Sequence, residues 1–397
     1  MEKIKKNFGF GCMRLPMVDG EVDRFEMNKM VDTFLARGFN YFDTAHGYIG
    51  GQSETALKEC LTSRYPRDSY ILTDKLSPNF FNTEAEIRPY FQSMLEACGV
   101  EYFDFFLLHS LTAGNYPHYT GNRAFEIAAE LKAEGKVRHV GISFHDKADV
   151  LDMILSEQPA IEVVQLQFNY LDYEDAGVQS RLCYEVCVKY GKPVIVMEPV
   201  RGGSLVNLPE AGLEEISKLG EYSPAGYAIR YAASFDNIFM VLSGMSNMEQ
   251  MEDNIKSMKD FTPFTETEFA TVYRVADIIR AIPTIPCTAC EYCVAGCPMQ
   301  INIPAIFKAY NNYLVYGNLQ GAKSAYENAI KERGRASACY RCGQCEAQCP
   351  QQINIPGVFG AMNNLLVYGN AQSAAQSHTV KHIGQILHDP QQPQQPR

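Results

Sequence analysis

Eight of the thirteen cysteines in this 397-residue chain fall between Cys287 and Cys349, in two copies of one spacing. C-x₂-C-x₂-C-x₃-C-P runs from Cys287 to Pro298 and again from Cys339 to Pro350, an offset of 52 residues. The segments that follow, CPMQINIPAIFKAYNNYLVYGN and CPQQINIPGVFGAMNNLLVYGN, match at most positions, as duplication of one supersecondary unit would produce. In this spacing three neighbouring thiolates take three corners of a [4Fe–4S] cluster and a remote cysteine before proline takes the fourth. Two copies allow two clusters with exchanged fourth ligands. We expect Cys287, Cys290, Cys293 and Cys349 around one, and Cys339, Cys342, Cys345 and Cys297 around the other. Zinc is the competing reading, because paired C-x₂-C motifs bind it. Zinc sites favour ligands in pairs, however, and each repeat here offers a triplet followed by Cys-Pro.

The other five cysteines (Cys12, Cys60, Cys98, Cys183, Cys187) are scattered and read as small buried apolar residues. The opening MEKIKKNFGFGCMRLP has no apolar stretch long enough for a signal peptide, and nothing approaches a membrane-spanning run. The expectation is a cytoplasmic protein, in which clustered cysteines mean metal rather than disulfides. A formal charge of −11, from 35 basic and 46 acidic residues without a long Lys/Arg run, argues against nucleic acid as partner.

The chain is long for one core and suggests two domains. Its first part alternates short β-branched or aromatic runs with longer amphipathic stretches. Candidate strands are 8–14, 40–44, 70–75, 103–109, 137–143, 163–168, 194–199 and 238–243. Strands separated by helices imply a parallel sheet, and eight such units fit a closed (β/α)₈ TIM barrel over residues 1–260. A dinucleotide fold of the open kind would want G-x-G-x-x-G after the first strand, but Gly9 and Gly11 are followed by Met13 and Arg14. Residues 261–282 read as a connecting helix and 283–370 as a small, mostly helical iron–sulfur domain. The Gln/Pro-rich 371–397 reads as a disordered tail.

Chemistry in such a barrel sits at the C-terminal ends of the strands. There the second strand gives Asp43 and, in its loop, Tyr48; the third gives Lys75; the fourth gives His109. Each alone reads as a cap, a surface charge or a core histidine. Together they make a proton-donating set. A carbonyl that accepts hydride needs a proton on oxygen, and a phenol with an ordinary pKa near ~10 is a poor donor at neutrality. A buried ammonium lowers that pKa, so we expect Lys75, kept charged by Asp43, to acidify Tyr48. A neutral His109 would hydrogen-bond the carbonyl oxygen.

These residues resemble the catalytic tetrad of the aldo/keto reductase family, and the resemblance covers most of residues 7–256. It implies Tyr48 as acid/base, NADPH or NADH as cofactor, and a small carbonyl or alcohol substrate. It further implies that Gly11, Cys12 and Met13 in the second half of the first candidate strand, and Asp43, lie at the dinucleotide. Ser143 in GISFH and Gln165 in VVQLQFNY would hold the carboxamide. In SGMSNMEQMEDN, Gly244, Ser246 and Gln250 would meet the adenosine phosphate, and Asp253 and Asn254 the adenine. Two positions depart from the family. Met197 stands where an aromatic residue commonly stacks on the nicotinamide, and Gly244 and Gln250 stand where basic residues read the 2′-phosphate. The C-terminal part resembles two-cluster ferredoxins of the helical kind.

Nicotinamide moves two electrons together and a cluster moves one, and no flavin motif is present to convert between them. Three readings follow. The first is a carbonyl reductase with structural or sensing clusters. The second is an enzyme whose clusters carry electrons from an external carrier such as ferredoxin or flavodoxin. The third is a non-enzymatic electron-transfer module on a retired barrel. The loop 111–121 offers Tyr116, His118 and Tyr119 either as substrate contacts or as ordinary surface residues.

Overall fold

The computed structural model describes residues 4–287 and 289–363; the expected tail at 371–397 lies outside them. Eight parallel strands close into a barrel in the order β1-β8-β7-β6-β5-β4-β3-β2 and back to β1. They are β1 (Phe8–Gly11), β2 (Tyr41–Asp43), β3 (Ile71–Leu76), β4 (Phe103–Leu111), β5 (Val137–Phe144), β6 (Val163–Gln167), β7 (Val194–Met197) and β8 (Ile238–Gly244). Every expected strand is present, within a few residues at either end. Helices fill the crossovers, among them α1 (Arg24–Ala36), α2 (Gln52–Leu57) and α3 (Glu84–Cys98). Asp23 starts α1 by accepting hydrogen bonds from the amides of Phe25 and Glu26, and Gly99 ends α3 in the left-handed conformation.

The barrel interior is a packed core, not a channel. Tyr41, Ile71, Phe105, Leu107, Val163, Ile195, Met240 and Leu242 meet there, drawn from six of the eight strands. Such large side chains fit because two strands contribute glycine. A Cβ on Gly141 would stand 2.6 Å from the Val163 carbonyl oxygen and 2.7 Å from Leu107. At the mouth, Gly11 lies opposite both Gly244 and Asp43, so the ends of β1, β2 and β8 converge. A short hairpin, Met17–Val18 with Glu21–Val22, decorates the loop after β1 and was not apparent from the sequence.

The chain divides into two compact units: residues 1–206 with 216–273, and 207–215 with the described residues from 274 onward. The second is built from helices Ile303–Tyr316, Leu319–Ile330 and Ile355–Met362 and two short helical turns, Tyr292–Ala295 and Gln344–Ala347. Its symmetry follows from the repeat. Asn302 and Asn354 cap the corresponding helices, each accepting from the amide three residues on, and Pro304 and Pro356 occupy the first turns, where no amide is needed. Phe307 and Phe359, one repeat apart, pack edge to face at 5.8 Å inside a core that also buries Ile301, Ile303, Ile353 and Ile355.

Candidate active site and cysteine quartets

Four side chains expected from the sequence converge at the barrel mouth. Lys75 is fully buried, and its ammonium donates to Asp43 Oδ1 at 2.5 Å, to the Thr44 carbonyl at 2.7 Å and to the Tyr48 hydroxyl at 3.3 Å. Its position is fixed at both ends, since β3 pairs with β2 on one side and β4 on the other. Asp43 is oriented further by Gln165, whose Nε2 donates to Oδ2 at 3.2 Å. The His109 ring lies edge-on to Tyr48, centroids 6.0 Å apart. Ser77 Oγ lies 2.6 Å from His109 Nδ1. With that hydroxyl donating, the ring proton resides on Nε2.

Electrostatics follow from burial. Asp43 holds the Lys75 pKa above its ordinary value despite the desolvation that opposes it. Burial, with the Lys75 and His145 charges behind it, lowers His109 to about 2, so its imidazole is neutral. Tyr48 corrects an expectation. Its pKa is raised, because burial outweighs the acidifying pull of Lys75. The ammonium offsets that penalty without overcoming it.

Other expected residues separate into two groups. Ser143 and Gln165 are buried neighbours across β5 and β6, and Ser143 Oγ accepts from the Ser110 amide at 3.2 Å. Cys12 is buried, its amide donating to the Asp43 carbonyl at 2.8 Å, while Met13 is exposed at the mouth and Met197 ends β7. Gly244, Ser246, Gln250, Asp253 and Asn254 line a groove of about 690 Å³ together with Arg14, Glu198 and Glu249. Asn254 is mostly committed to the fold, donating to Ser243 Oγ at 3.1 Å, and Asp253 accepts from Ser223 Oγ at 2.5 Å. Arg14 lays its aliphatic stem over Gly244, where a Cβ would meet it at 3.2 Å, and its guanidinium approaches Gly202.

Gly202, Gly203 and Gly244 are among the groove's lining residues, and the helix Met248–Met258 starts beside it behind the Asn247 cap. In the loop after β4, Tyr116 and Tyr119 turn inward: Tyr119 donates toward the His109 carbonyl at 2.6 Å, and Tyr116 bonds Glu157 at 2.8 Å. Tyr119 thereby braces the strand end that carries His109. Sequence reasoning missed Ser77, Thr44 and the groove carboxylates Glu198 and Glu249. Ser77, two residues after Lys75 on the same strand end, was the most accessible signal among them.

The cysteines of the second unit fall into the two expected quartets. One cavity is lined by Cys287, Cys290, Cys293 and Cys349, with Ile303, Phe307, Ile353 and Ile355; another by Cys297, Cys339, Cys342 and Cys345, with Ile301 and Phe359. Among the described residues, the only trio of candidate ligand atoms within 4.8 Å of one another is Glu54, Asp74 and Cys98. No three sulfurs of either quartet therefore lie mutually within 4.8 Å, whereas ~2.3 Å bonds to one tetrahedral zinc would place them ~3.8 Å apart. An apolar pocket ringed by four separated thiols suits a cluster. The five scattered cysteines are all buried.

Residues 7–277 match the aldo/keto reductase family, and residues 286–354 match a 4Fe-4S dicluster domain. The chain is 25% identical over 211 residues to an NADH-specific methylglyoxal reductase of Escherichia coli, covering 48% of this chain and 61% of that protein. It is 26% identical over 259 residues to L-galactose dehydrogenase of Arabidopsis thaliana, covering 60% and 80%. Among solved structures, the holo form of a Bacillus halodurans aldo-keto reductase superposes with a TM-score of 0.56 at 25% identity, covering 68% of this chain and 91% of that one.

Proposed function

This chain belongs to the aldo/keto reductase family, and from that premise we propose that it is a cytoplasmic NAD(P)H-dependent reductase of a small aldehyde or ketone. One observation carries the reading: the buried chain Asp43–Lys75–Tyr48, with a neutral His109 beside the phenol. Ser143 and Gln165 would hold a nicotinamide at the mouth, where it would supply hydride to the carbonyl carbon when bound. Tyr48 gives its hydroxyl proton to the carbonyl oxygen, and the Lys75 ammonium stabilises the phenolate left behind. His109 Nε2–H donates to the same oxygen and orients it. Asp43 keeps Lys75 charged. Gln165 and Ser143 flank the site, supporting a role for them at the carboxamide.

The groove carries Glu198, Glu249 and Asp253 against Arg14. A 2′-phosphate adds roughly −1.5 to −2 charge, so this lining supports NADH at least as well as NADPH, as does the NADH-specific relative. In the second unit the two quartets are proposed to ligate two [4Fe–4S] clusters, which supply one-electron transfer when bound. Cys290 and Cys342 are exposed. That favours, as a second reading, electron exchange with an external carrier such as ferredoxin or flavodoxin.

Tyr48→Phe is the test. It keeps the ring and removes the proton donor, so carbonyl reduction falls by ~10²–10⁴ while dinucleotide affinity is kept. Reduction at the wild-type rate would refute the assignment.

A further inference from the structure

Tyr48 is followed by an unusual stretch of backbone. Ile49, Gly50 and Gly51 all adopt the left-handed region, with φ of 53°, 63° and 89°. For a β-branched residue such as Ile49 this costs on the order of 1–3 kcal/mol and persists only when the surroundings hold it. The first turn of α2 does the holding. Ser53 donates to the Cys12 carbonyl at 2.9 Å and lies 2.7 Å from Thr44 Oγ1. Glu54 comes next and makes a second attachment.

Glu54 Oε2 sits 2.8 Å from His46 Nδ1. Its carboxyl shares one site with Asp74 and Cys98, ligand atoms all within 4.8 Å. Glu54 is 1% exposed and the other two 0%. Asp74 directly precedes Lys75 on β3. Its Oδ1 accepts from the Lys75 amide at 2.8 Å, and its Oδ2 faces the Cys98 thiol at 3.6 Å. Glu54 Oε1 is buried with no hydrogen-bond partner among the described residues. Two carboxylates this close in a dry site cannot both be ionised, and a proton on either one turns the orphaned contact into an O–H···O bond.

We propose that Glu54 and Asp74 share one proton, and that the resulting carboxyl–carboxylate bond is a positioning device that holds the Tyr48 loop against the strand carrying Lys75. The inference rests on the reductase reading for its purpose, though not for its chemistry. Burial raises Glu54 to about 7 and Asp74 well above the carboxylate range, the Glu54 charge adding to the latter. The groups facing the pair are His46 from the loop after β2, Tyr90 and Cys98 from α3, and Lys75 on β3. His46 is partly exposed and lies edge-on beside both Phe80 and Tyr90, at 4.8 and 5.0 Å, giving the pair access to solvent protons.

The test uses the full chain, prepared anaerobically, with Glu54→Gln, Asp74→Asn and Glu54→Ala. A folded-state pKa above the unfolded one means stability present below the unfolded pKa and lost as pH rises through the folded one. Relative to Glu54→Gln, the wild-type folding equilibrium constant therefore falls by as much as tenfold per pH unit between ~4.3 and about 7. Infrared spectroscopy at neutral pH shows a protonated-carboxyl C=O band in the wild type that Glu54→Gln and Asp74→Asn both lack. Hydrogen exchange across residues 45–53 quickens tenfold or more in Glu54→Ala and stays near wild type in Glu54→Gln, whose amide still donates. With a carbonyl substrate, kcat follows the same order while dinucleotide Kd is constant. If the wild type reduces no carbonyl, the reductase reading fails, while the stability, infrared and exchange arms still decide the shared proton. A pH-independent difference, a missing band, or unchanged exchange in Glu54→Ala would overturn the proposal. So would a stoichiometric divalent ion lost with Glu54→Gln, which would make the trio a metal site.

Discussion

Replacing Lys75 by Met keeps the apolar stem of the side chain, one heavy atom shorter, and deletes the ammonium with its charge and its hydrogen bonds to Asp43, Thr44 and Tyr48. In the wild type that charge is fully buried and answers Asp43 at 2.5 Å. Without it, the Asp43 carboxyl is left inside the barrel with Gln165 Nε2 at 3.2 Å as its remaining side-chain donor. At pH 7 the cheapest response is to take up a proton, about three units above an ordinary carboxylate pKa of ~3.9. At about 1.36 kcal/mol per unit this costs about 4 kcal/mol, inside the ~3–5 kcal/mol typical of breaking a buried pair. For a unit of this size the thermal midpoint falls by roughly 8–16 °C. The penalty has a definite sign with pH. It is absent below the ordinary carboxylate pKa and grows as pH rises, because the folded variant keeps a proton that the unfolded chain has released. Urea denaturation at pH 5, 6, 7 and 8, followed by far-ultraviolet circular dichroism, measures it. The double variant Asp43→Asn/Lys75→Met removes the orphaned charge and recovers most of the loss. A loss under ~1 kcal/mol at pH 8, or one equal at pH 5 and pH 8, would refute the reasoning.

Cys342→Ala removes one ligand of the quartet that includes Cys297, so iron and sulfide, expected near eight each per chain, fall toward half; a colourless wild type holding zinc would contradict the cluster assignment. Fluorescence titration should give NADH and NADPH affinities within ~100-fold, about 2.7 kcal/mol, and a larger preference for NADPH would mean that Arg14 reads the phosphate strongly. Gly141→Ala drives a methyl group against the Val163 carbonyl at 2.6 Å, costing ~1–3 kcal/mol by overpacking, visible as a lower thermal midpoint with dinucleotide binding intact. Carbonyl reduction should show no loss from His109 between pH 5 and 8, because its pKa of about 2 keeps it neutral throughout; an inflection near 6.5 in kcat would assign it a charged role.

The barrel was legible because each strand announces itself. Runs such as 103–109 and 163–168 are short, β-branched or aromatic, and bounded by turn residues, and the alternation with amphipathic stretches leaves a closed parallel sheet as the economical solution. The cysteine quartets were legible for a different reason: chemical identity and spacing survive without knowledge of the fold. Much of what stayed hidden depends on through-space neighbours. Nothing in the string joins Glu54 to Asp74, twenty residues away, until β3 and α2 are packed. Nothing in it turns Tyr119 inward to the His109 carbonyl rather than outward to a substrate. The groove carboxylates Glu198 and Glu249, one after β7 and the other in the first turn of the helix after β8, acquire a joint meaning only when those segments meet around Arg14.

The same limit explains the one reversal in the site's chemistry. Sequence reasoning counts charges, so Lys75 beside Tyr48 reads as an acidifier. The folded site adds desolvation, which for a buried phenol acts first and in the opposite direction. The resting site therefore holds a protonated Tyr48, a charged Lys75 and a neutral His109. That is the set required to deliver a proton to a carbonyl oxygen. Taking a proton from an alcohol would require the phenolate, which burial disfavours. On the proposed reading, Lys75 contributes after transfer, when its contact with the Tyr48 oxygen becomes an ion pair in a low-dielectric site. An interaction that strengthens as the proton leaves lowers the barrier to its leaving, and by microscopic reversibility to its return, so burial and the ammonium act on the phenol in opposite senses.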